Sequence, residues 1–140
     1  MKVLVIYNEP NLRTAIKALL QAFCPEIKTI EEADGVKSGL QKIKAFQPDI
    51  VLLDVEMDDG SGFDLMKQVV NPGFQLIFVT AHNKYAIEAF QFSAIDYLLK
   101  PVDPDALQIS IQKAAVNMRN SNLQQQVQIL LQQLAGIQNH

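Results

Sequence analysis

Apolar runs alternate along the chain with stretches in which apolar residues recur every three or four positions. The runs predict five strands, of which residues 2–7, 49–54 and 74–80 are apolar almost throughout, while residues 27–32 and 95–99 form shorter runs. The three-to-four spacing predicts five helices, at residues 10–23, 35–46, 63–70 and 83–92 and from residue 104 onward. Strands and helices therefore alternate along the whole chain.

This alternation predicts an α/β fold with a parallel sheet and right-handed crossovers. Strands that are apolar on both faces are typical of a sheet covered by helices on both sides. Binding sites in such sheets form at the carboxyl ends of the strands. The polar residues at those ends are therefore the candidate functional groups: Tyr7, Asn8 and Glu9 after the first strand, Asp54 after the third, Thr80 after the fourth, and Lys100 after the fifth.

Composition narrows the class of protein. The chain has 140 residues, 49% apolar and 19% charged, which is enough for one globular domain and a short extension. The formal charge of −3 argues against a DNA-coating surface on this chain. The single cysteine, Cys24, excludes an intrachain disulfide. No apolar run has the length of a signal-peptide core or a membrane span, so we expect a cytoplasmic protein without membrane contact.

Asp54 is the sharpest chemical feature of the sequence. A carboxylate directly after a run of four apolar residues lies at the mouth of the core, where a charge is costly unless a cation or hydrogen bonds meet it. Lys100 can supply the cation and Thr80 a hydroxyl, each from the end of another strand. The three residues together predict a functional site rather than a solvated strand end.

Three motifs carry a family resemblance: Asp54 with the loop at 57–62, the pair Thr80-Ala81, and the run DYLLKP at 96–101. As a set they resemble the receiver domain of two-component response regulators. The stretch TAHNKYAIEAFQFSAIDYLLKPV is most similar to regulators whose output is a LytTR-type DNA-binding domain. The resemblance covers residues 1–120 and implies a flavodoxin-like (CheY-like) five-stranded parallel sheet of order 2-1-3-4-5, with helices on both faces. Residues 121–140 are expected to be a glutamine-rich helical extension or linker toward an output domain that is absent from this chain.

The resemblance also implies a role for each matching residue. Asp54 matches the phosphoacceptor, which takes a phosphoryl group from a sensor histidine kinase or from a small phosphodonor. Thr80 would bind a phosphoryl oxygen, and Lys100 would pair with Asp54 and then with the phosphoryl group. Thr80, Tyr97 and Pro101 would form the switch, with a cis peptide bond before Pro101. Such a protein regulates transcription as a switch and is not a turnover enzyme.

The end of the first strand departs from the family pattern. Family members carry two acidic residues there, which hold Mg²⁺ together with the phosphoacceptor, whereas this chain has Tyr7 and Asn8. The ligands expected here are Asn8, Asp54 and the backbone carbonyl of Glu56. Glu9 could compensate, although we expect its side chain to point away from that of Asn8. The site loses up to two negative charges, so Mg²⁺ binding is expected to be weak.

Two interpretations follow from this departure. One is an active receiver with weakened Mg²⁺ affinity and slower transfer, which the retention of Asp54, Thr80, Tyr97, Lys100 and Pro101 favours. The other is a receiver fold that acts as an interaction module without phosphorylation. A related hypothesis is that the reduced charge around Asp54 already biases the unmodified protein toward the active-like conformation.

Two surfaces are candidates for homodimerisation. One is the face formed by the fourth helix, the fifth strand and the fifth helix, where aromatic residues concentrate: Tyr85, Phe90, Phe92 and Tyr97. The other is the C-terminal helix, whose apolar residues step by four and three as in a heptad seam: Leu123, Val127, Leu130, Leu134 and Ile137. A stripe resting on a neighbouring domain, or a disordered linker, would also fit this segment.

Two other functions fit the sequence poorly. A phosphatase of the haloacid dehalogenase type also forms an aspartyl phosphate after an apolar strand, but it needs a second aspartate where this chain has Glu56, and Thr or Val where it has Asp58. A flavodoxin-like nucleotide binder needs a phosphate loop of Gly, Ser or Thr after the first strand. The sequence Tyr7-Asn8-Glu9-Pro10-Asn11 is not such a loop.

Overall fold

The apolar runs form one parallel sheet in the computed structural model, which describes residues 1–138, the last two by their backbone alone. Its strands are β1 (Lys2–Ile6), β2 (Thr29–Ala33), β3 (Ile50–Asp54), β6 (Gln75–Thr80) and β7 (Asp96–Leu99). The strand order is β2-β1-β3-β6-β7, with every neighbouring pair parallel. Counted within this sheet, the order is the predicted 2-1-3-4-5, so the flavodoxin-like fold class is confirmed.

Five α-helices connect and flank the strands: α1 (Pro10–Phe23), α2 (Val36–Phe46), α3 (Gly62–Lys67), α4 (Ala86–Gln91) and α5 (Pro104–Gln138). A 3₁₀ turn, Asn83–Tyr85, precedes α4. Helix α5 is 35 residues long and runs unbroken into the predicted extension. The last two positions of that extension, 139 and 140, lie outside the described residues. No helix within residues 1–138 combines the length and apolar character that crossing a bilayer requires.

The sheet separates two hydrophobic layers. Side chains alternate along β1, so Val3 and Val5 face the layer of α1 and α5, while Leu4 and Ile6 face the layer of α2, α3 and α4. All four side chains are completely buried. Because both faces of these strands are buried, the strands are apolar throughout. Polar residues therefore occur where the strands end, at the carboxyl edge of the sheet.

The structure differs from the predicted elements mainly between β3 and β6. The predicted loop contains a small antiparallel hairpin, β4 (Glu56–Met57) and β5 (Gly60–Ser61), and Ser61 then caps α3 by accepting the Asp64 N–H. Helix α3 ends at Lys67 rather than at residue 70. The N–H groups of Gln68 and Val69 donate three residues back, to Leu65 and Met66, so the α-helical turn tightens before residue 70. A two-residue pairing is too short to leave a periodic pattern in the sequence.

The junction between β3 and α3 is tightly packed at Gly62. A Cβ atom at this position would lie 2.5 Å from the backbone oxygen of Asp54 and 3.0 Å from the Leu53 side chain. The Gly62 N–H also donates to the Val55 carbonyl at 2.8 Å. The backbone of Asp54 therefore leaves no room for a side chain at position 62.

We expect Gly62→Ala to lower the free energy of unfolding by about 1–3 kcal/mol, because backbone must move to admit the methyl group. Gly73→Ala is the matched control, since a Cβ at Gly73 meets nothing within 4 Å. The control should stay within about 0.5 kcal/mol of the wild type. Urea unfolding of both variants tests this, and equal stabilities would contradict the tight junction.

Candidate functional site

The carboxyl ends of β1, β3, β6 and β7 surround an open pocket of about 540 Å³. Parallel strands end at the same edge of the sheet, which is why residues distant in sequence meet there. The lining residues come from strand ends and from the hairpin after β3: Asn8, Glu9, Asp54, Glu56, Met57, Asp58, Thr80, Ala81 and Lys100. Apart from Tyr97 and Pro101, every residue predicted for catalysis, switching or metal binding lines this pocket.

Asp54 and Lys100 form a buried ion pair at the floor of the pocket. Asp54 is 1% exposed, and its Oδ2 accepts a hydrogen bond from Lys100 Nζ at 2.7 Å. Its Oδ1 has a weaker partner, the Glu56 N–H at 3.3 Å. Burial raises the pKa of Asp54, and the interaction with Lys100 offsets part of that rise. The result is an anion with one oxygen held by a cation and the other nearly free.

Thr80 and the cis peptide bond lie next to this pair. Thr80 ends β6 and is 1% exposed, and its Oγ1 accepts the His82 N–H at 3.4 Å. The peptide bond between Lys100 and Pro101 is cis, as the sequence led us to expect. Pro101 itself is exposed and lies outside the pocket lining. Thr80 thus links the pocket to the start of the loop that leads into α4.

The family pattern predicts an acidic side chain at position 7 that enters the pocket, but the Tyr7 side chain lies outside the pocket. Its side chain is completely buried in the layer of α1 and α5, and it does not line the pocket. Lys100 Nζ lies 5.7 Å from the centroid of its ring. Burial, followed by the charge of Asp54, raises the pKa of Tyr7 well above its ordinary value. The phenol is therefore neutral, and its ring contacts the same ammonium that neutralises Asp54.

The Tyr7 hydroxyl has an unusual environment for a buried group. It is the one fully buried side-chain polar atom of the described residues that lacks a hydrogen-bond partner. A buried hydroxyl without a partner carries a desolvation cost. Tyr7 therefore contributes packing and a contact with Lys100, but no ligand oxygen, to this end of the sheet.

Asn8 and Glu9 both reach the pocket, and the hairpin adds an acid that the sequence did not single out. Asn8 Nδ2 donates to Asp58 Oδ1 at 3.2 Å, and Glu9 Oε1 lies 3.7 Å from Lys100 Nζ. The two side chains therefore line the same pocket but contact different partners in it. Asp58 is brought in because its neighbour Asp59 accepts the backbone N–H groups at the start of α2, at 2.7 and 3.1 Å.

A second group of contacts joins Glu56 to the loop after β6. Its Oε1 accepts the Tyr85 hydroxyl at 2.9 Å and lies 3.4 Å from His82 Nε2. The Tyr97 hydroxyl donates to the backbone carbonyl of His82. Tyr97 is half-buried against the layer of α2, α3 and α4. No sequence pattern predicts this network, because its members lie in three separate stretches of the chain.

The donor set fits a weakly held, largely hydrated Mg²⁺. Within residues 1–138, no three His, Cys, Asp or Glu side chains form a ready-made metal cluster. Asp54 is the buried carboxylate, with neutral oxygens available from the Asn8 side chain and the Glu56 carbonyl, and with Glu9 and Asp58 nearby. Mg²⁺ is commonly bound in this way, through one or two carboxylates and several waters.

We expect Lys100→Met to cost about 3 kcal/mol of unfolding free energy at pH 7, because it leaves the Asp54 charge buried without a partner. The pKa of Asp54 should rise further in this variant, above its value in the unfolded chain. Folding then takes up a proton, so the cost should shrink as pH falls and disappear below about pH 4. Urea unfolding across this pH range measures the effect.

Lys42→Met is the matched control, because Lys42 pairs with Glu31 at 2.7 Å on the surface, where both side chains are well exposed. Its loss should cost no more than about 1 kcal/mol. A Lys100→Met variant as stable as this control at pH 7 would show that Asp54 does not depend on Lys100.

Comparison with known proteins agrees with this geometry. Residues 3–112 match the family model of the response regulator receiver domain. The sensory transduction protein LytT of Bacillus cereus is 37% identical over 116 residues, covering 81% of this chain and 46% of the relative. The sensory transduction protein LytR of Staphylococcus haemolyticus is 34% identical over 125 residues, covering 87% of this chain and 48% of the relative. The chain therefore spans about half the length of these curated relatives.

Solved structures show the same architecture. The signal receiver domain of a putative Luxo repressor protein from Vibrio parahaemolyticus aligns with a TM-score of 0.79 at 24% identity, covering 87% of this chain and 95% of that one. The response regulatory domain of protein mrkE from Klebsiella pneumoniae aligns with a TM-score of 0.76 at 23% identity, covering 86% and 99%. These identities establish the fold alone. Since the family match spans most of its length, the chain belongs to the response regulator receiver domain family.

Proposed function

We propose that this chain is a phosphoryl-accepting switch, in which Asp54 receives a phosphoryl group from a phosphohistidine of a sensor histidine kinase or from a small phosphodonor. Receiver domains interact with histidine kinases and often dimerise, which supports the partner class. The observation that carries the proposal is the buried Asp54 carboxylate, held at 2.7 Å by Lys100 at the floor of an open pocket.

The two oxygens of Asp54 suggest how the transfer proceeds. Oδ2 is held by Lys100, whereas Oδ1 has only the long contact to the Glu56 N–H, so we assign Oδ1 as the nucleophile. A bond forms between Oδ1 and phosphorus as the bond between phosphorus and the donor nitrogen breaks, and the electron pair of that bond leaves with the imidazole. Little other covalent chemistry is required, so positioning and charge neutralisation carry the catalysis.

Lys100 and Thr80 are placed to receive the new charge. The Lys100 ammonium lies against Asp54 and can shift toward a phosphoryl oxygen without leaving the pocket. Thr80 lines the same pocket, and its hydroxyl can donate to such an oxygen. If Oγ1 moves toward that oxygen, its present 3.4 Å contact with the His82 N–H lengthens and breaks. The backbone carbonyl of His82 also accepts a hydrogen bond from the Tyr97 hydroxyl. Phosphorylation would therefore change the packing of Tyr97 through the short loop that contains His82.

Receiver domains generally bind Mg²⁺ at this acidic pocket, and we propose that Asp54, the Asn8 side chain and the Glu56 carbonyl hold it here, with Glu9 in a supporting position. The ion supplies neutralisation of the phosphoryl oxygens when it is bound. Asn8 contributes no charge, and Tyr7 contributes no ligand. The protein should therefore need more Mg²⁺ for transfer than a receiver with two acids after β1.

The same departure supports a second candidate, a phosphorylation-independent interaction module. The Tyr7 ring and the Asp54 carboxylate both contact Lys100, which favours a pocket that is already partly neutralised. Tyr97 is already packed against the core and hydrogen-bonded to the His82 carbonyl. Both observations agree with an unmodified state that resembles the activated one, as hypothesised from the sequence.

The output of the switch is proposed to be transcriptional. The curated relatives named above are about twice as long as this chain. We propose that a LytTR-type DNA-binding domain provides the output in a longer protein and that DNA is contacted only through it. Homodimerisation through the face formed by α4, β7 and α5 would transmit the signal.

The exposed apolar residues on this face differ from those expected. Phe90 is 83% exposed and Ile87 is 78% exposed, both on α4. Phe92 instead stacks on Phe63 at 5.6 Å, and Tyr85 packs edge-on against the same ring at 6.0 Å. Of the four aromatic residues expected at this surface, Phe90 is the one that is fully available for a partner.

We expect incubation with acetyl phosphate and Mg²⁺ to add one phosphoryl group to the wild-type chain, measured by intact mass. Asp54→Ala should show no adduct under the same conditions, because it lacks the nucleophilic oxygen. An unmodified wild type at high Mg²⁺ would favour the interaction module. An adduct that persists in Asp54→Ala would place the acceptor elsewhere.

Restoring acidic residues after β1 should lower the Mg²⁺ requirement. We expect Asn8→Asp to reduce the Mg²⁺ concentration for half-maximal phosphorylation by about tenfold, roughly 1.4 kcal/mol of binding free energy. Asp105→Asn, at the exposed start of α5, is a charge control that should leave the requirement unchanged. The double variant Tyr7→Asp with Asn8→Asp tests the active-like bias, which predicts that, before phosphorylation, the face formed by α4, β7 and α5 binds a second copy less strongly in this variant than in the wild type.

A further inference from the structure

Helix α5 has two separate apolar faces. One is built into the receiver core through Leu107, Ile111 and Ala114, which are at most 1% exposed. The other stays open along the helix, and six of its residues are 46–58% exposed: Ile109, Val116, Leu123, Val127, Leu130 and Leu134. Ile129 and Leu131, which are 54% and 59% exposed, lie beside this row. A helix that only completed the receiver core would need the first face alone. The second face has no partner within the described residues.

The open face follows a heptad pattern whose d positions are apolar without a break. Ile109, Val116, Leu123 and Leu130 are each seven residues apart and take the d position, while Val127 and Leu134 take the a position. The pattern starts on the receiver body and continues into the extension, so it covers between three and four heptads. A seam of that length is typical of a coiled coil, whereas the extension alone would be marginal. The core-facing residues occupy b and f positions, on the opposite side of the same helix.

Asn120 interrupts the seam at an a position. It is exposed on α5, one heptad before Val127. An asparagine at a single a position favours two parallel strands in register, because only there does each amide meet an identical amide across the seam. An apolar partner helix would leave Asn120 buried and unsatisfied. The residue therefore discriminates between a second copy of this chain and an unrelated apolar surface.

The charges along the helix point to the same occupant. No charged residue occurs between Asn120 and Gln138, and the positions beside the seam include Gln124, Gln126 and Gln133. A partner that relied on interhelical ion pairs would find nothing to pair with. An identical neutral helix meets no like-charge repulsion. The one seam residue that is charged, Lys113, lies on the body and is paired within its own chain to Asp96 at 3.2 Å.

From this arrangement we propose that α5 binds a second copy of the chain as a parallel, in-register, two-stranded coiled coil, with Asn120 facing Asn120 of the other chain. The coil extends about 27 Å beyond Asn120, at the 1.5 Å rise per residue of an α-helix. It holds the receivers together before phosphorylation. This coil adds a second contact between the two copies to the face formed by α4, β7 and α5 that is proposed above, and it does not depend on phosphoryl transfer at Asp54.

Disulfide trapping tests orientation and register in the 140-residue chain. In a Cys24→Ala background, which removes the single cysteine, we expect Leu130→Cys to form a symmetric cross-linked dimer under mild oxidation. Gln132→Cys, an f position two residues away, should stay largely uncross-linked. Preferential cross-linking between Leu123→Cys and Leu134→Cys in a mixture would indicate antiparallel helices and overturn the proposal. Equal trapping at positions 130 and 132 would overturn it as well.

Sedimentation velocity tests the seam without cysteines. The wild type and Asp54→Ala should both sediment as dimers at micromolar concentrations without phosphodonor. The pair Leu123→Glu with Leu130→Glu should convert the protein to monomer, whereas Gln125→Glu with Gln132→Glu adds the same charge on the outer face and should leave the dimer intact. Far-UV circular dichroism confirms that each variant is folded.

Each sedimentation outcome decides the proposal. A monomeric wild type would mean that the open face serves a different occupant, such as an output domain, and a dimer that survives both seam glutamates would place the interface elsewhere. Asn120→Leu should keep association but admit species larger than the dimer, since the register determinant is lost. Because intact mass reads phosphorylation separately, a failed coil and a failed phosphoacceptor cannot be confused.

Discussion

The Asp54 carboxylate lies at the end of a strand that is completely buried, and the Lys100 ammonium at 2.7 Å is what makes this placement tolerable. An isolated carboxylate in such surroundings would be neutralised by protonation. The pair spans the carboxyl edge of the sheet, because Lys100 directly follows β7, which lies two strands from β3. The strand order, the cis peptide bond after Lys100 and the open pocket all accommodate this one contact.

Around that pair, neutral side chains stand at the two positions where the family pattern predicts acidic ones. Tyr7 places a buried ring beneath Lys100 at a position where the family pattern predicts an acidic residue, and Asn8 contributes an amide that donates to Asp58 of the hairpin. The negative charge near Asp54 is thus shifted from β1 toward Glu9 and the hairpin, in more exposed positions. Exposed carboxylates bind a cation less strongly than buried ones, because water screens them. The electrostatics of the pocket therefore favour a state in which the Lys100 ammonium already contacts the Asp54 carboxylate and the Tyr7 ring before any phosphoryl group arrives.

Helix α5 links the proposed phosphoacceptor site to the proposed dimer contact. Its inner face closes the receiver core, and its outer face continues as one seam from the body into the extension. Lys113 of the outer face donates to Asp96 at the start of β7, the strand that also carries Tyr97 and ends beside Lys100. A rearrangement of β7 would therefore reach the helix that carries the open face. The outer face explains why α5 carries more apolar residues than the receiver core needs from it.

The sequence by itself determined the α/β class, the strand order through its family resemblance, and the pocket residues Asp54, Thr80 and Lys100. Long apolar runs and polar strand ends are local signals, and parallel strands bring their ends together regardless of loop detail. Only the tertiary structure decided that Glu9 faces the pocket, that Asp58 joins it, and that Tyr7 lies in the core. The heptad phase of Ile109 and Val116 was present in the sequence but hidden, because either side of α5 could have faced the core. Which side is open depends on how the helix packs on the sheet, and no local pattern encodes that choice.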